Sequence, residues 1–495
     1  MNLDELQSKT SRKRTGLRSF MRYWLKPGHS VQDKSRRNWM DLDNASTIFP
    51  SVLNTTDTKV FRFTATIIDN IDPILLQKAL EQTYNHFPLY HSVIRRGFFW
   101  YYFEDSDLIP VVQKETTAPC MPLYHYDQRN LLFRVLYYQN RIHLEVFHAL
   151  SDGTGAFWFL QLLVTNYIFL RYPESSARTR NLGELFSLPH YEPNEQIDDS
   201  FARYFSKNKR ETPGVFPKRK NEPADYKPET KKTKNKNNKE NKKIWKRIFQ
   251  IRGRRTQDNR MQIFETEMPV KSVLKLAKER GVTLSVFLTA LFIESIHRTI
   301  KSKRKNRSVT ISVPINLRQF YPSNTARNFF ATTLIGYQFG EAGQTDSFEN
   351  ICQVVADQYA EAVNLENIEK KLRSLIRLEK NVAIRPIFRP LKDLILKIAN
   401  FFNNQGITAA LSNMGKITFP EAVEDYVEQI FVYTAATRPQ FAAITHKDYL
   451  TINFSSPYQN TDIQKNFVRR LTELKVPITV GANQVNPPEE DNEIL

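Results

Sequence analysis

The chain has two cysteines in 495 residues, Cys120 and Cys352. Two thiols are too few for a Cys-rich zinc site or a disulfide scaffold. So low a content makes a reducing cytosol the default compartment. No G-x-S-x-G run is present, which removes the usual signature of a serine hydrolase. Long hydrophobic runs are also missing: the apolar stretches around 157–170 and 284–293 are short or broken by polar residues. No transmembrane span is expected from them, and no signal peptide is obvious. Helix-turn-helix, zinc-finger and RNA-recognition patterns are absent, as is any internal repeat.

What is present is length, apolar content and an uneven charge. A chain of 495 residues with 41 % hydrophobic residues typically forms more than one domain. The net charge is +19, but it is concentrated. Residues 1–40 hold 10 Lys/Arg against 3 Asp/Glu, a net of +7, and residues 207–256 hold 19 against 5, a net of +14. The rest of the chain is left at −2. The divisions expected are a basic amphipathic segment (1–40), a first domain (41–205), a Lys-rich, disordered linker (206–256), a second domain (257–480) and an acidic tail (481–495). Leu17, Phe20, Met21, Trp24 and Leu25 recur at helical spacing beside Arg18, Arg22 and Lys26. Ile244, Trp245, Ile248 and Phe249 repeat the pattern beside Lys246 and Arg247. Aromatics interleaved with cations suit an anionic membrane surface, so peripheral membrane contact through 1–40 and 207–256 is expected of a cytoplasmic protein. Nucleic acid ranks lower as a partner, and an import presequence is disfavoured by Asp4 and Glu5.

The most informative run is Val146-Phe147-His148-Ala149-Leu150-Ser151-Asp152-Gly153-Thr154-Gly155. Leu131–Tyr138 reads as a strand, Gln139-Asn140-Arg141 as a turn, and Ile142, Leu144 and Val146 as one face of a second strand. Period-two spacing carries His148 onto that face. After Gly155 the pattern becomes helical, with Phe157, Leu160, Leu163 and Tyr167. The imidazole therefore sits at a strand-to-helix corner, where its ordinary pKa suits a general base at neutral pH. Gly153 and Gly155 admit backbone conformations that a side chain would hinder. A histidine at a strand end also occurs as an ordinary satisfied polar residue.

This run resembles the H-x-x-x-D-G motif of the CoA-dependent acyltransferase superfamily, in which chloramphenicol-acetyltransferase-like enzymes, alcohol acyltransferases and peptide-synthetase condensation domains fall. Further landmarks follow in the order shown by alcohol-acetyltransferase-like members. They are Phe87–Gly97 after a helix beginning at Asp72-Pro73, Gly281–Leu288, Val313-Pro314-Ile315-Asn316-Leu317-Arg318, Ala326-Arg327-Asn328-Phe329-Phe330, Leu411–Gly415 and Ile452–Ser455. Phe147 stands where many relatives carry a first histidine. That weakens the condensation reading more than the alcohol acyltransferase one, and it leaves a degenerate, inactive member open.

The resemblance implies an α/β fold of two chloramphenicol-acetyltransferase-like domains, a pseudo-dimer with its active site in the interdomain channel. It implies His148 as the catalytic base, and Asp152 and Gly153 as groups that order the loop. Arg318 is the expected partner of Asp152 in a buried ion pair, and Ser412 or Asn413 the expected donor to a developing oxyanion. An ordinary turn at 412–415 is the competing reading. No metal and no bound cofactor are expected; acyl-CoA, acetyl-CoA in the first instance, is a co-substrate and a hydroxyl compound the acceptor. A monomer suffices to complete such a site. Two alternatives stay open: a non-catalytic relative that binds membrane or nucleic acid through its basic segments, and a carrier-protein-dependent condensation enzyme. No carrier or adenylation domain is fused to the chain, which makes a free acyl-CoA donor simpler.

Overall fold

The computed structural model describes residues 38–174, 193–205, 247–256, 260–300, 307–341, 343, 345–379 and 387–483. Residues 1–37 and 206–246, including the Leu17–Leu25 and Ile244-Trp245 patterns, and the tail from 484 lie outside them. Asp41–Leu495 form one compact unit.

The first lobe runs through β1 (Val60–Ile67), α1 (Pro73–Asn85), β2 (Ser92–Arg96), β3 (Tyr101–Asp105), β4 (Gln113–Lys114), β5 (Phe133–Tyr138), β6 (Arg141–Phe147) and α2 (Gly153–Arg171). The second begins with β7 (Gln262–Pro269), α3 (Val270–Glu279), α4 (Leu284–His297), β8 (Ser308–Asn316) and β9 (Phe330–Gln338). It continues with α5 (Phe348–Ala362), α6 (Leu365–Glu379), α7 (Arg389–Gln405) and β10 (Ala409–Ile417). Then come β11 (Val427–Thr434), β12 (Gln440–His446), β13 (Tyr449–Ser456), α8 (Asp462–Glu473) and β14 (Thr479–Ala482).

Helix starts follow local chemistry. Asp72 caps α1 by accepting from the Ile74 and Leu75 amides, with Pro73 at the first turn. Thr283 caps α4 through the Val286 amide. α2 is long and apolar enough to cross a membrane by length and composition alone, but two-thirds of it is buried and it serves as the core helix of the first lobe.

Of three sheets among the described residues, the smallest joins β2 and β3 to a short strand at Trp39–Asp41, and the two larger ones position the site. The first has the order β11-β1-β6-β5-β4, the second β9-β8-β10-β12-β13-β7-β14. β6 pairs antiparallel with both β1 and β5, and the His148 amide extends this pairing by donating to the Lys59 carbonyl at 2.7 Å. β11 comes from late in the chain yet pairs with β1 in the first sheet, Phe431 opposite Thr64. The first lobe is therefore completed by a strand from beyond residue 426. In the second sheet β8 and β9 are antiparallel, with Asn316 opposite Phe330. That register brings the end of the Val313–Arg318 run and the start of the Ala326–Phe330 run to one corner, against the first lobe.

Residues 247–256 are not all linker. The Phe249 amide donates to the Ser308 carbonyl at 2.8 Å, Ile248 forms a bridge to Ser308, and Phe249 packs on the second core. Phe249 is therefore not displayed to a membrane as its sequence pattern suggests: its ring gains more by joining an existing apolar core.

Candidate active site

His148 lies between the lobes, half-buried. Phe49 stacks on its ring at 4.8 Å between centroids, Phe61 meets it edge-on at 5.0 Å, and Phe330 approaches at 5.6 Å. Burial among these rings holds the imidazole below the ordinary histidine pKa, while its own carbonyl, the Asp152 charge and the Asn328 amide pull the other way. The balance favours the neutral imidazole over the charged form.

Asn328 fixes which nitrogen is available. Its amide nitrogen donates to Ser46 Oγ at 2.9 Å and to the His148 carbonyl at 2.8 Å. Its Oδ1 must then face His148 Nδ1, which is 3.1 Å away. An amide oxygen can only accept, so Nδ1 carries the proton and Nε2 keeps its lone pair; the tautomer is assigned from this network. Arg327, next in the chain, donates to the Asp41 carbonyl at 2.6 Å and lies 3.7 Å from Asp43 Oδ2. The two residues fasten the 41–49 segment across the histidine. Asn328 lies within the Ala326–Phe330 run, but no local pattern marks it as a partner of His148, which is 180 residues away.

Asp152 does no proton relay in this geometry. Its Oδ1 caps α2, accepting from the Thr154 and Gly155 amides at 3.1 and 3.0 Å. Its Oδ2 accepts from the Phe329 amide at 2.9 Å and from Arg318 Nη1 at 2.7 Å. Both ends of the carboxylate are occupied. Arg318 is held in turn by the Thr325 and Arg327 carbonyls, each 2.8 Å from Nη2, and lies over the Trp158 ring. Asn316 adds a bond to Thr154 Oγ1 at 3.2 Å. This corner is where the second lobe grips the start of α2.

Gly153 and Gly155 are needed for close approach. A Cβ on Gly155 would fall inside the van der Waals radius of the Ala326 carbonyl oxygen, where Ser151 Oγ also donates at 2.5 Å. At Gly153 the added carbon would meet the Met414 thioether, 2.8 Å from Cε and 2.9 Å from Sδ.

Ser412 and Asn413 belong to β10, paired with Ala442 and Ala443 of β12, rather than to a turn. The ladder breaks between Asn413 and Lys416, with Gly415 at positive φ. Asn413 donates to Ser285 Oγ at 2.8 Å and accepts from the Gly415 amide at 2.9 Å. Both ends of its amide are engaged within the second lobe, so it would have to release Ser285 before donating to an oxyanion. Met414, between them in this break, is the side chain that reaches the histidine loop. Phe147 is fully buried and stacks on Tyr124 at 5.5 Å, on the sheet face opposite His148. Cys120 and Cys352 are both buried, with thiol pKa values raised by desolvation, so neither is a ready nucleophile. Among the described residues no cluster of His, Cys, Asp and Glu could hold a metal ion.

The alcohol acetyltransferase family model matches residues 227–442, somewhat less than half of the chain, and this stretch includes Arg318 and Asn328 but not His148. No curated protein matches the sequence. Among solved structures, the trichothecene 15-O-acetyltransferase of Fusarium sporotrichioides aligns with a TM-score of 0.56 at 10 % identity, over 90 % of this chain and 97 % of that one. The cyclization-docking bidomain of a nonribosomal peptide synthetase from Sorangium cellulosum gives 0.53 at 13 % identity, over 96 % and 92 %. The first condensation domain of the calcium-dependent antibiotic synthetase gives 0.51 at 14 %, over 90 % and 97 %. The chain thus has the two-lobed fold shared by acetyltransferases and condensation domains, and the fold and the alcohol acetyltransferase match in its second half together support an acyltransferase.

Proposed function

We propose that the chain transfers an acyl group from an acyl-CoA thioester to an alcohol, with His148 as general base. The observation that carries this reading is the Nδ1-protonated imidazole, held by Asn328 and walled by aromatic rings between the two lobes. Its Nε2 takes the proton from the acceptor hydroxyl as that oxygen attacks the thioester carbonyl carbon. The tetrahedral adduct collapses with cleavage of the C–S bond, and the departing thiolate receives the proton from Nε2. No acyl-enzyme forms, which agrees with two buried thiols of raised pKa. Asp152 and Arg318 act by positioning the loop. The donor to the oxyanion stays with the Ser412–Asn413 pair, just before the break in β10, as a secondary proposal, Ser412 ahead of the engaged Asn413.

The carrier-dependent alternative uses the same fold and the same base, with an amine or hydroxyl acceptor. Phe147 in place of a first histidine favours the alcohol reading. The test offers acetyl-CoA and longer acyl-CoAs with separate panels of alcohols and amines, and reads free thiol. Alcohol-dependent release is expected. Release with amines alone, or only from a carrier-bound acyl group, would favour the condensation reading instead.

A further inference from the structure

Behind Asn328 the hydrogen-bond chain runs on to a buried carboxylate that the reaction above does not use. Asp43, Ser46 and Asn328 are all buried. Asp43 Oδ1 accepts from the Ser46 amide at 2.8 Å, and its Oδ2 accepts from the Ser46 hydroxyl at 2.6 Å. The Ser46 oxygen accepts in turn from Asn328 Nδ2 at 2.9 Å, and Asn328 Oδ1 faces His148 Nδ1 at 3.1 Å. Arg327 Nε stands 3.7 Å from Asp43 Oδ2 and supplies the countercharge. Burial raises the Asp43 carboxyl to about 6, with Arg327 and Ser46 pulling the other way, so the ionised form prevails at neutral pH.

A carboxylate can only accept, so Asp43 takes the single hydroxyl proton of Ser46. The Ser46 oxygen is then left to receive the Asn328 amide, and the Asn328 oxygen is turned towards His148. All three links therefore donate in one direction, from the imidazole to the carboxylate, and each bond polarises the next. The gain is greatest when the imidazole holds a second proton, because opposite charges then stand at the two ends of the chain. Holding the turn at Ser46–Ile48 would account for the two bonds from Ser46 to Asp43, but not for the seating of Asn328 on the Ser46 hydroxyl. We propose that Asp43 is a positioning residue for His148, acting through Ser46 and Asn328 to keep the proton on Nδ1 and to stabilise the imidazolium that forms in the reaction. No proton passes along the chain; only its polarisation changes. This role rests on His148 being the base, but the tautomer is read without turnover.

The test uses the full chain with 15N-labelled histidine, the His148 signals being those that vanish in His148→Ala. Ser46→Ala cuts the chain and leaves Asp43 beside Arg327. Asp43→Asn removes the charge at nearly constant shape, and Ser46→Thr keeps a hydroxyl. Wild type should show a protonated Nδ1 and an unprotonated Nε2. Folded Ser46→Ala and Asp43→Asn should both populate the other tautomer and titrate His148 at lower pH than wild type. In the acyl-transfer assay their kcat should fall about tenfold with KM nearly unchanged, the scale on which partners orient working histidines. Ser46→Thr should restore the wild-type signals. Because Ser46→Ala keeps the Asp43–Arg327 pair, a merely structural Asp43 predicts wild-type signals in that variant. Unchanged tautomer and titration in Ser46→Ala and Asp43→Asn would overturn the proposal. Absence of turnover by wild type would count against the base role alone, and the spectra would still decide whether Asp43 governs the imidazole.

Discussion

A histidine works as a base only if it is neutral, correctly tautomerised and aimed, and three different neighbours of His148 supply these conditions. The aromatic rings lower its pKa, Asn328 holds the proton on Nδ1, and the Asp152 loop sets its position. In the proposed reaction the neutral form is the working one, so the acid limb of kcat/KM should fall below the ordinary histidine value. Replacing Asn328 with Asp puts a carboxylate against the imidazolium and should move that limb to higher pH. Asn328→Ala frees the tautomer; kcat should drop about 10- to 100-fold with KM nearly unchanged, the scale on which partners orient working histidines. A pH–rate profile that does not move in Asn328→Asp would contradict the assigned hydrogen bond. His148, Asp152 and Arg318 are legible in the sequence because the first two share a short motif and the third sits in a landmark run. Asn328 is not legible as a partner, since nothing local to it says that β9 begins opposite a histidine 180 residues earlier.

Among the elements, the start of α2 is one of the places where the two lobes are joined. Asp152 and Arg318 are both almost fully buried, so Arg318→Ala leaves an unpaired carboxylate and should cost about 3–5 kcal/mol. A melting curve would read this as a large drop in Tm, and a drop too small to measure would mean the pair contributes little. Gly155→Ala should be worse tolerated than Gly153→Ala. At 155 the obstacle is a backbone carbonyl; at 153 it is the mobile end of Met414. Soluble yield and Tm of the two variants check the order. Helix limits here are readable from caps and periodicity, to within three residues at α2, which starts at Gly153 rather than after Gly155. The direction in which an amphipathic helix faces is another matter. The spacing of Leu391, Leu394 and Ile398 marks a stripe, but only tertiary packing shows that Lys392 and Asp393 turn inward instead.

At the scale of the molecule the first lobe borrows a strand from the second half of the chain, so it is not closed in sequence. β11 completes the first sheet from beyond residue 426. A fragment of residues 41–205 alone should therefore expose β1 as an open edge and aggregate. Co-expression with residues 247–483 should restore it, and a soluble, folded 41–205 fragment would contradict this dependence. No period or motif in the sequence announces the exchange, because pairing between distant strands is a tertiary choice. Acid should also destabilise the whole unit. His143, His148, His297 and His446 all have pKa values lowered chiefly by burial. The unfolded chain then binds more protons as pH falls below the ordinary histidine value, and stability declines in that range. Asp43 works against this: burial raises it to about 6, so its share of the stability is lost as pH rises from the ordinary aspartate value towards 6. Asp198 is raised by burial in the same sense as Asp43; with four groups against two, Tm should rise between pH 5 and pH 7, and a flat profile would mean that the histidines titrate normally.

The measurement that bears most directly on the central claim is acceptor-dependent release of CoA from acyl-CoA by wild type and by His148→Ala, with folding checked in both. Release by the wild type that is lost in the variant is the expected result. Turnover that survives without the imidazole would contradict the assignment of His148 as the base.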